Sequence, residues 1–270
     1  VDEFTTKITR SPGSFVVLVY PSGVDLSTSP LHHLSELLAA QRAAAGTRWR
    51  RLSPGRQALL VLAHLRCGHT YAQLAAGFGV GVATAHRYVT EAVALLASRA
   101  PDIGVVTRAA AREVFVILDG TLLPIDRVAA DRPYYSGKHR RHGMNVQVLA
   151  DPFGKLLWAS PALPGAVHDI RAARTHAIVD ALTCVNVPCW ADKGYQGAGG
   201  TVRTPYRGRW ENLSAGQRAH NRSHARIRVL GEQAVATLKF WRLLRRLRCS
   251  TTRVTDLVKA VLTLHLASTT

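Results

Sequence analysis

The stretch 116–121, VILDGT, limits the fold of this chain more than any other. Residues 114–118 are apolar without alternation, the pattern of a strand buried on both faces. One acid, Asp119, ends the run, and Gly120 breaks it. Residues 122–125 are apolar again after Gly120-Thr121 and read as a hairpin partner.

Downstream the strand-like period continues. Residues 145–150 (NVQVLA) alternate, and residues 155–159 (KLLWA) follow across the turn signal DPFG at 151–154. Asp169 is an N-cap residue type and opens a helix expected to reach Leu182. Residues 187–191 form the next strand, broken by Asp192-Lys193-Gly194-Tyr195. A Gly- and Arg-rich stretch without periodicity runs from Gly197 to about Asn221, and helices are expected over 222–247 and 254–267. Meandering strands, a crossover helix, one further strand and a late helix make a mixed α/β order, which fits a ribonuclease-H-like mixed sheet. In such a sheet the first strand and the strand after the crossover are parallel neighbours, so acids at their C-terminal ends meet. Asp119 and Asp192 each follow an apolar strand at that end.

Before residue 100 the period is helical. Leu31, Leu34, Leu37 and Leu38 follow Ser29-Pro30 at helical spacing, with Gly46 as the stop. Ser53-Pro54 announces a second helix that ends at Gly68. A short helix at 71–78, a turn at Gly79-Val80-Gly81 and a longer helix at 82–97 form a helix-turn-helix pattern, whose second helix enters the major groove of DNA by its first turns. The positions expected to be exposed there are Ala83, Thr84, His86 and Arg87; an αα-hairpin that only packs or dimerises carries the same pattern. Residues 102–106, after Ala100-Pro101, read as a linker. The resulting division is an N-terminal arm at 1–27, an all-α helix-turn-helix domain at 28–105 and an α/β catalytic domain at 106–270, with a basic insertion at about 196–221. Within the arm, residues 14–20 read as a strand or a packed segment.

Lys and Arg number 35 against 17 Asp and Glu, a formal net charge of +18. Such an excess suits a polyanion partner, because each phosphate neutralised releases counterions; a merely basic, ribosome-like protein is the plainer alternative. Cys67, Cys184, Cys189 and Cys249 lack the CxxC pairs of a zinc site and read as reduced thiols. The apolar run at 15–20 is too short for a signal segment or a membrane span, so the expected compartment is the cytoplasm, with no membrane partner.

Two aspartates at adjoining strand ends repel, and one pKa rises, unless a cation neutralises them. Hard oxygen ligands suit Mg²⁺ or Mn²⁺. Two such ions about 3.5–4 Å apart can activate a water or a 3′-hydroxyl and stabilise the leaving oxygen of a phosphodiester. Glu232 is the candidate third carboxylate, since Glu211 falls in the aperiodic stretch. Arg228 stands one helical turn before Glu232 and Lys239 about two turns after, placed to grip phosphates or to serve as ordinary helix-surface partners.

Four segments carry a resemblance: DGT at 119–121, PGAVHD at 164–169, ADKGY at 191–195 and NRSHARIRVLGEQAVATLKFWRLL at 221–244. Together they resemble the DDE-type insertion-sequence transposases, and within these the branch that groups the IS-five bacterial elements with the eukaryotic Harbinger elements. The spaced set R-x3-E-x6-K, here Arg228, Glu232 and Lys239, is similar to that branch's signature; Ala225 stands where the branch has a tyrosine. The similarity spans about residues 31–266.

The resemblance implies that Asp119, Asp192 and Glu232 form a triad binding two catalytic Mg²⁺ (or Mn²⁺) ions. Asp169, in the HD motif, is a further acid near the metals or the N-cap of its helix. His168 is placed near the scissile phosphate or orients Asp169, and Tyr195 packs under the site or stacks on a flipped base. Double-stranded DNA, both element ends and target, is the implied partner, with a homodimer in the synaptic complex and a place at the bacterial nucleoid. Lys138, Arg140 and Arg141 follow Tyr134-Tyr135, and Arg203 and Arg207 flank Tyr206, so aromatic rings interleave with positive charge as distorted DNA ends require. A domesticated DNA-binding protein without cleavage and a stand-alone metal nuclease stay open beside the transposase.

Overall fold

The computed structural model describes residues 24, 27–47, 50–126 and 132–269. The expected strand or packed segment at 14–20 lies outside the described residues.

Helices α1 (Thr28–Ala44), α2 (Pro54–Cys67), α3 (Tyr71–Phe78) and α4 (Val82–Ala97) form the first layer. Their ends follow local chemistry. The Ser53 side chain accepts from Arg56 N–H ahead of Pro54, and Thr70 and Gln73 cap α3 reciprocally in a capping box. Gly79 closes α3 at φ 64, a left-handed conformation that favours glycine and sets the tight turn into α4. Helix α4 buries Ala85, Tyr88, Val89, Ala92, Val93 and Leu96, as its period requires, whereas Val82 stays exposed. The expected linker at 102–106 is instead the start of α5 (Ile103–Ala110): the Asp102 side chain accepts from Val105 N–H, and Val106 and Ala110 are buried. Pro101 signals the end of one helix, while Asp102, directly after it, caps the next.

The second layer is a mixed sheet in the order β2-β3-β1-β6-β7, with β4 and β5 also pairing β3. Its strands are β1 (Val116–Pro124), β2 (Tyr135–Ser136), β3 (Arg141–Ala150), β4 (Leu156–Ala159), β5 (Leu163–Pro164), β6 (Cys189–Ala191) and β7 (Val202–Arg203). Strand β1 runs antiparallel to β3 from Ile117↔Ala150 to Pro124↔Gly143, and parallel to β6 from Val116↔Cys189 to Leu118↔Ala191. The expected parallel neighbours are therefore present. The expected hairpin at Gly120-Thr121 is not: β1 continues through both residues, because β3 pairs it along nearly its whole length.

Two helices, α6 (Asp169–Thr175) and α7 (Ile178–Cys184), replace the single crossover helix, divided at Ala177 with φ 52. Helix α8 (Ala215–Lys239) begins inside the stretch read as aperiodic, where Ser214 and Gln217 form a second capping box. It also ends earlier than expected, and Arg242–Arg245 continue as a 3₁₀ turn. Helix α8 packs on β1 and β3, while α9 (Val254–Ala267) packs on α4 and α1 as well as β4. Thr263 Oγ1 donates to Leu96 O at 3.0 Å, and Ser29 Oγ to Ala267 O at 2.7 Å. The end of the chain thus completes the helical layer, and one apolar core spans both layers. The whole is a helical region followed by a ribonuclease-H-like mixed α/β core, as expected. None of the four cysteines is in a disulfide. Among the described residues no helix is long and apolar enough to cross a membrane.

Candidate active site

Leu118↔Ala191 is the last parallel pair between β1 and β6, so the next residue on each strand, Asp119 and Asp192, emerges beside the other. Asp119 is not at a strand end; it sits mid-strand, at the point where the parallel pairing stops. Asp169, first residue of α6, joins them. It lies so close to β1 that a Cβ on Gly120 would sit 2.7 Å from its Cγ, which explains a glycine inside a buried strand. Gly194 serves Asp192 in the same way: its N–H donates to Asp192 Oδ1 at 2.7 Å, and a Cβ there would come within 2.8 Å of that oxygen.

One cation bridges two of the acids. Lys138 Nζ donates to Asp169 Oδ2 at 2.9 Å and to Asp192 Oδ2 at 3.4 Å. Asn145 Nδ2 donates to Asp169 Oδ1 at 2.9 Å and to Val167 O at 2.9 Å, and Gln147 Nε2 donates to Asn145 Oδ1 at 2.7 Å and to Asp169 Oδ1 at 3.4 Å. Tyr195, fully buried, donates its hydroxyl to Gln147 Oε1. It packs under the site, and its burial excludes stacking on a flipped base. Asp169 does not cap its own helix: His168 holds the N-cap position without a side-chain cap, and the Asp169 carboxylate faces Lys138 and β3 instead. The sequence offered one signal for Asn145 and Gln147: in an alternating strand they share a face, and both are buried amides.

The acids differ in electrostatics. Burial pushes the Asp119 carboxyl up to about 6, opposed by the Gly120 N–H and Arg228 and reinforced by Asp192. Burial would raise Asp169 too, but the Lys138 bond and the Asn145 and Gln147 amides hold it below the ordinary carboxylate value. Burial works against the Lys138 ammonium, yet the Asp169 hydrogen bond and the surrounding acids raise it overall. Among the described residues Asp119 accepts one hydrogen bond, from Gly120 at 2.9 Å, and has no ion pair.

Glu232 is exposed on α8 and makes no hydrogen bond or ion pair among the described residues. Its neighbour Gly231 packs on β1, where a Cβ would lie 2.8 Å from Ile117 Cγ2 and 3.8 Å from Asp119 Cβ, so α8 crosses directly at Asp119. Three residues before Gly231, Arg228 Nη2 stands 4.0 Å from Asp192 Oδ2. Burial, with Arg141, lowers Lys239, while Asp119 opposes that shift. Three carboxylates of hard oxygen chemistry, with the Lys138 ammonium standing in as a cation and Asp119 lacking one, fit a divalent metal as a donor set. Among the described residues no three His, Cys, Asp or Glu side chains stand in metal-binding geometry; Lys138 lies between Asp169 and Asp192.

Besides Arg228 and Lys239 on α8, the expected DNA-contacting residues fall in three places. On α4, His86 and Arg87 are exposed and Thr84 is half-buried; His86 Nε2 lies 3.2 Å from Arg253 Nη1. Arg140 follows Lys138 in the turn between β2 and β3, and Arg141 opens β3; both are exposed. Arg203 and Arg207 are exposed beyond β6, near a cavity of about 380 Å³ lined by Asp192, Trp210, His224, Ala225 and Arg228. Trp210, half-exposed, has the Arg218 and Arg222 guanidinium groups 5.9 and 5.8 Å from its ring, an aromatic–cation surface beside the acids.

Residues 118–265 match the family model for the DDE superfamily endonuclease, and residues 50–102 match the model for the helix-turn-helix of DDE superfamily endonuclease. No curated protein and no solved structure matches the chain significantly.

Proposed function

We propose that this chain, which belongs to the DDE superfamily endonucleases and carries the helix-turn-helix of a DDE-type transposase, binds the terminal inverted repeats of a mobile element, cuts at their ends and joins the freed 3′ ends to target DNA. The observation that carries the reading is the meeting of Asp119, Asp192 and Asp169 where β1 and β6 part, with Arg228 beside them.

Asp119, Asp192 and Glu232 would hold two divalent cations, Mg²⁺ or Mn²⁺, with Asp169 at their edge. When bound, the cations supply an activated water or 3′-hydroxyl and stabilise the leaving oxygen. Asn145 and Gln147 fix the Asp169 carboxylate, and Tyr195 fixes Gln147, so the acid is oriented before substrate arrives. Lys138 pairs with Asp169 and Asp192 and would be free to bind a phosphate if a cation took its place between them. Arg228 and Lys239 lie near Asp192 and Asp119 and would suit the charge of a scissile phosphate. On α4, Thr84, His86 and Arg87 are the candidates for reading DNA, and Arg140, Arg141, Arg203 and Arg207 for holding backbone on either side of the site. Synapsis of two ends calls for a homodimer.

Incubation with DNA bearing candidate ends and Mg²⁺ or Mn²⁺ tests the reading. Joined products are expected. Hydrolysis without joining would replace the transposase with a stand-alone nuclease, and specific binding without either product would leave a DNA-binding protein.

A further inference from the structure

A second cavity, of about 550 Å³, lies between the helix-turn-helix and the chain that leaves α8, and none of the three aspartates lines it. Arg242, Arg246, Arg248 and Arg253 all contribute to its wall. Among the described residues one carboxylate answers them: Asp126 takes Arg246 Nε at 3.0 Å and Arg248 Nε at 3.7 Å. Arg253 has no carboxylate partner among the described residues; its guanidinium donates to Thr90 Oγ1 at 2.8 Å and lies 3.2 Å from His86. Arg242 likewise forms no ion pair among the described residues. Fixed positive charge around a concave site attracts an anion, and guanidinium groups match phosphate oxygens in pairs.

The rest of the wall is not polar. Tyr71 and His64 form a stacked pair there, with centroids 4.9 Å apart and planes at 22°, and Val89, Leu243 and Leu257 add apolar surface. A free inorganic anion has no use for that surface, and a duplex is too wide for the space. A planar base joined to a phosphate uses both halves of the wall, and the volume falls in the usual range of about 300–1,000 Å³ for small-ligand sites.

We propose that this cavity binds one nucleotide, with its base against the aromatic and apolar wall and its phosphate on Arg242 and Arg253. The nucleotide is either an unpaired position of a DNA strand or a free nucleoside phosphate, since the chemistry is the same. A phosphate at Arg253 competes with His86 and Thr90 for the guanidinium, which couples the cavity to the first turns of α4.

The chain carries its own reporters. Cys67 and Cys249 line the cavity, whereas Cys184 is exposed on α7, outside it. Iodoacetamide labelling of the full chain without divalent cation, read by mass spectrometry at each cysteine, is compared with dAMP, a single-stranded oligonucleotide, a fully paired duplex or inorganic phosphate. At ligand about ten times above its Kd, labelling at Cys249 and Cys67 should slow about tenfold with Cys184 unchanged. Arg242→Gln, an exposed side chain, should weaken the affinity about tenfold and so cut that protection to about twofold. Protection by the single strand but not dAMP assigns the nucleotide to DNA, and the reverse assigns it to a free nucleotide. Protection by phosphate alone or by the paired duplex alone, or no protection by any probe, overturns the proposal. Because no cleavage is measured, the outcome is separate from that of the transposase reading.

Discussion

Lys138 Nζ lies 2.9 Å from Asp169 Oδ2, and through that contact a half-exposed lysine supplies the charge that a cluster of three aspartates requires. The ammonium also reaches Asp192 at 3.4 Å, so it stands where a divalent cation held by both acids would have to compete with it.

Lys138→Met should therefore destabilise the metal-free protein by about 1 kcal/mol, the scale of a solvent-screened ion pair. It should also make the protein respond more strongly to divalent cations. Melting curves with EDTA and with Mn²⁺ check this. An equal Mn²⁺ response in variant and parent would show that Lys138 does not compete for the metal position.

Asp119 makes the opposite demand. Its folded-state carboxyl titrates near 6, above the ordinary 3.8, so ionisation costs stability. The cost is absent below the ordinary value, grows as pH rises to about 6 and is constant above. Each pKa unit is worth about 1.4 kcal/mol, so Asp119→Asn should stabilise the metal-free chain at pH 7.5 by about 1–3 kcal/mol while abolishing metal-dependent cleavage. Calorimetry in chelator is the check; the gain should disappear near pH 4. A variant that melts lower at pH 7.5, or that still cuts, contradicts the assignment.

Gly120→Ala should displace the Asp169 carboxylate, because the new methyl group meets it directly. Stability should fall by about 1–3 kcal/mol, the usual cost of overpacking, and cleavage should fall with it. Gly137→Ala is the control, since a Cβ there meets nothing within 4 Å. Equal melting temperatures for the two variants would argue against the close approach.

Glu232 and Asp169 separate by the same pair of measurements. Glu232 is exposed without partners, so Glu232→Gln should leave the melting temperature unchanged and lower cleavage by orders of magnitude. Asp169→Asn should lower both, since it removes the charge that Lys138 pairs with and leaves one accepting oxygen where Lys138 and two amides now use two. Full cleavage by Glu232→Gln would hand the third metal ligand to Asp169.

Arg87, exposed on α4, tests recognition. Arg87→Ala should weaken binding to element ends, by about 1–3 kcal/mol if it reads a base edge, and footprinting will show the lost contact. Binding by the parent chain should also drop steeply between about 50 and 200 mM salt. An unchanged footprint would move recognition away from α4.

Local chemistry was enough for the helices up to Ala97. Ser53-Pro54, the Thr70–Gln73 box and Gly79 are signals between residues a few positions apart, and the helices begin and end where they say. Two uninterrupted apolar runs were likewise enough to bring Asp119 beside Asp192, since parallel pairing of buried strands leaves one register for their ends. What tertiary structure decided lies in contacts across long stretches of chain. Gly120 reads as a turn until Asp169, from another element, is seen packed on it. Asp169 reads as a helix cap until Lys138 and Asn145 arrive from the β2–β3 region to claim its oxygens. Helix α9 looks like part of the α/β half until it closes on α4. In each case the partner is set by packing, which no local periodicity encodes, so the same acid or glycine carries two local meanings and the fold selects one.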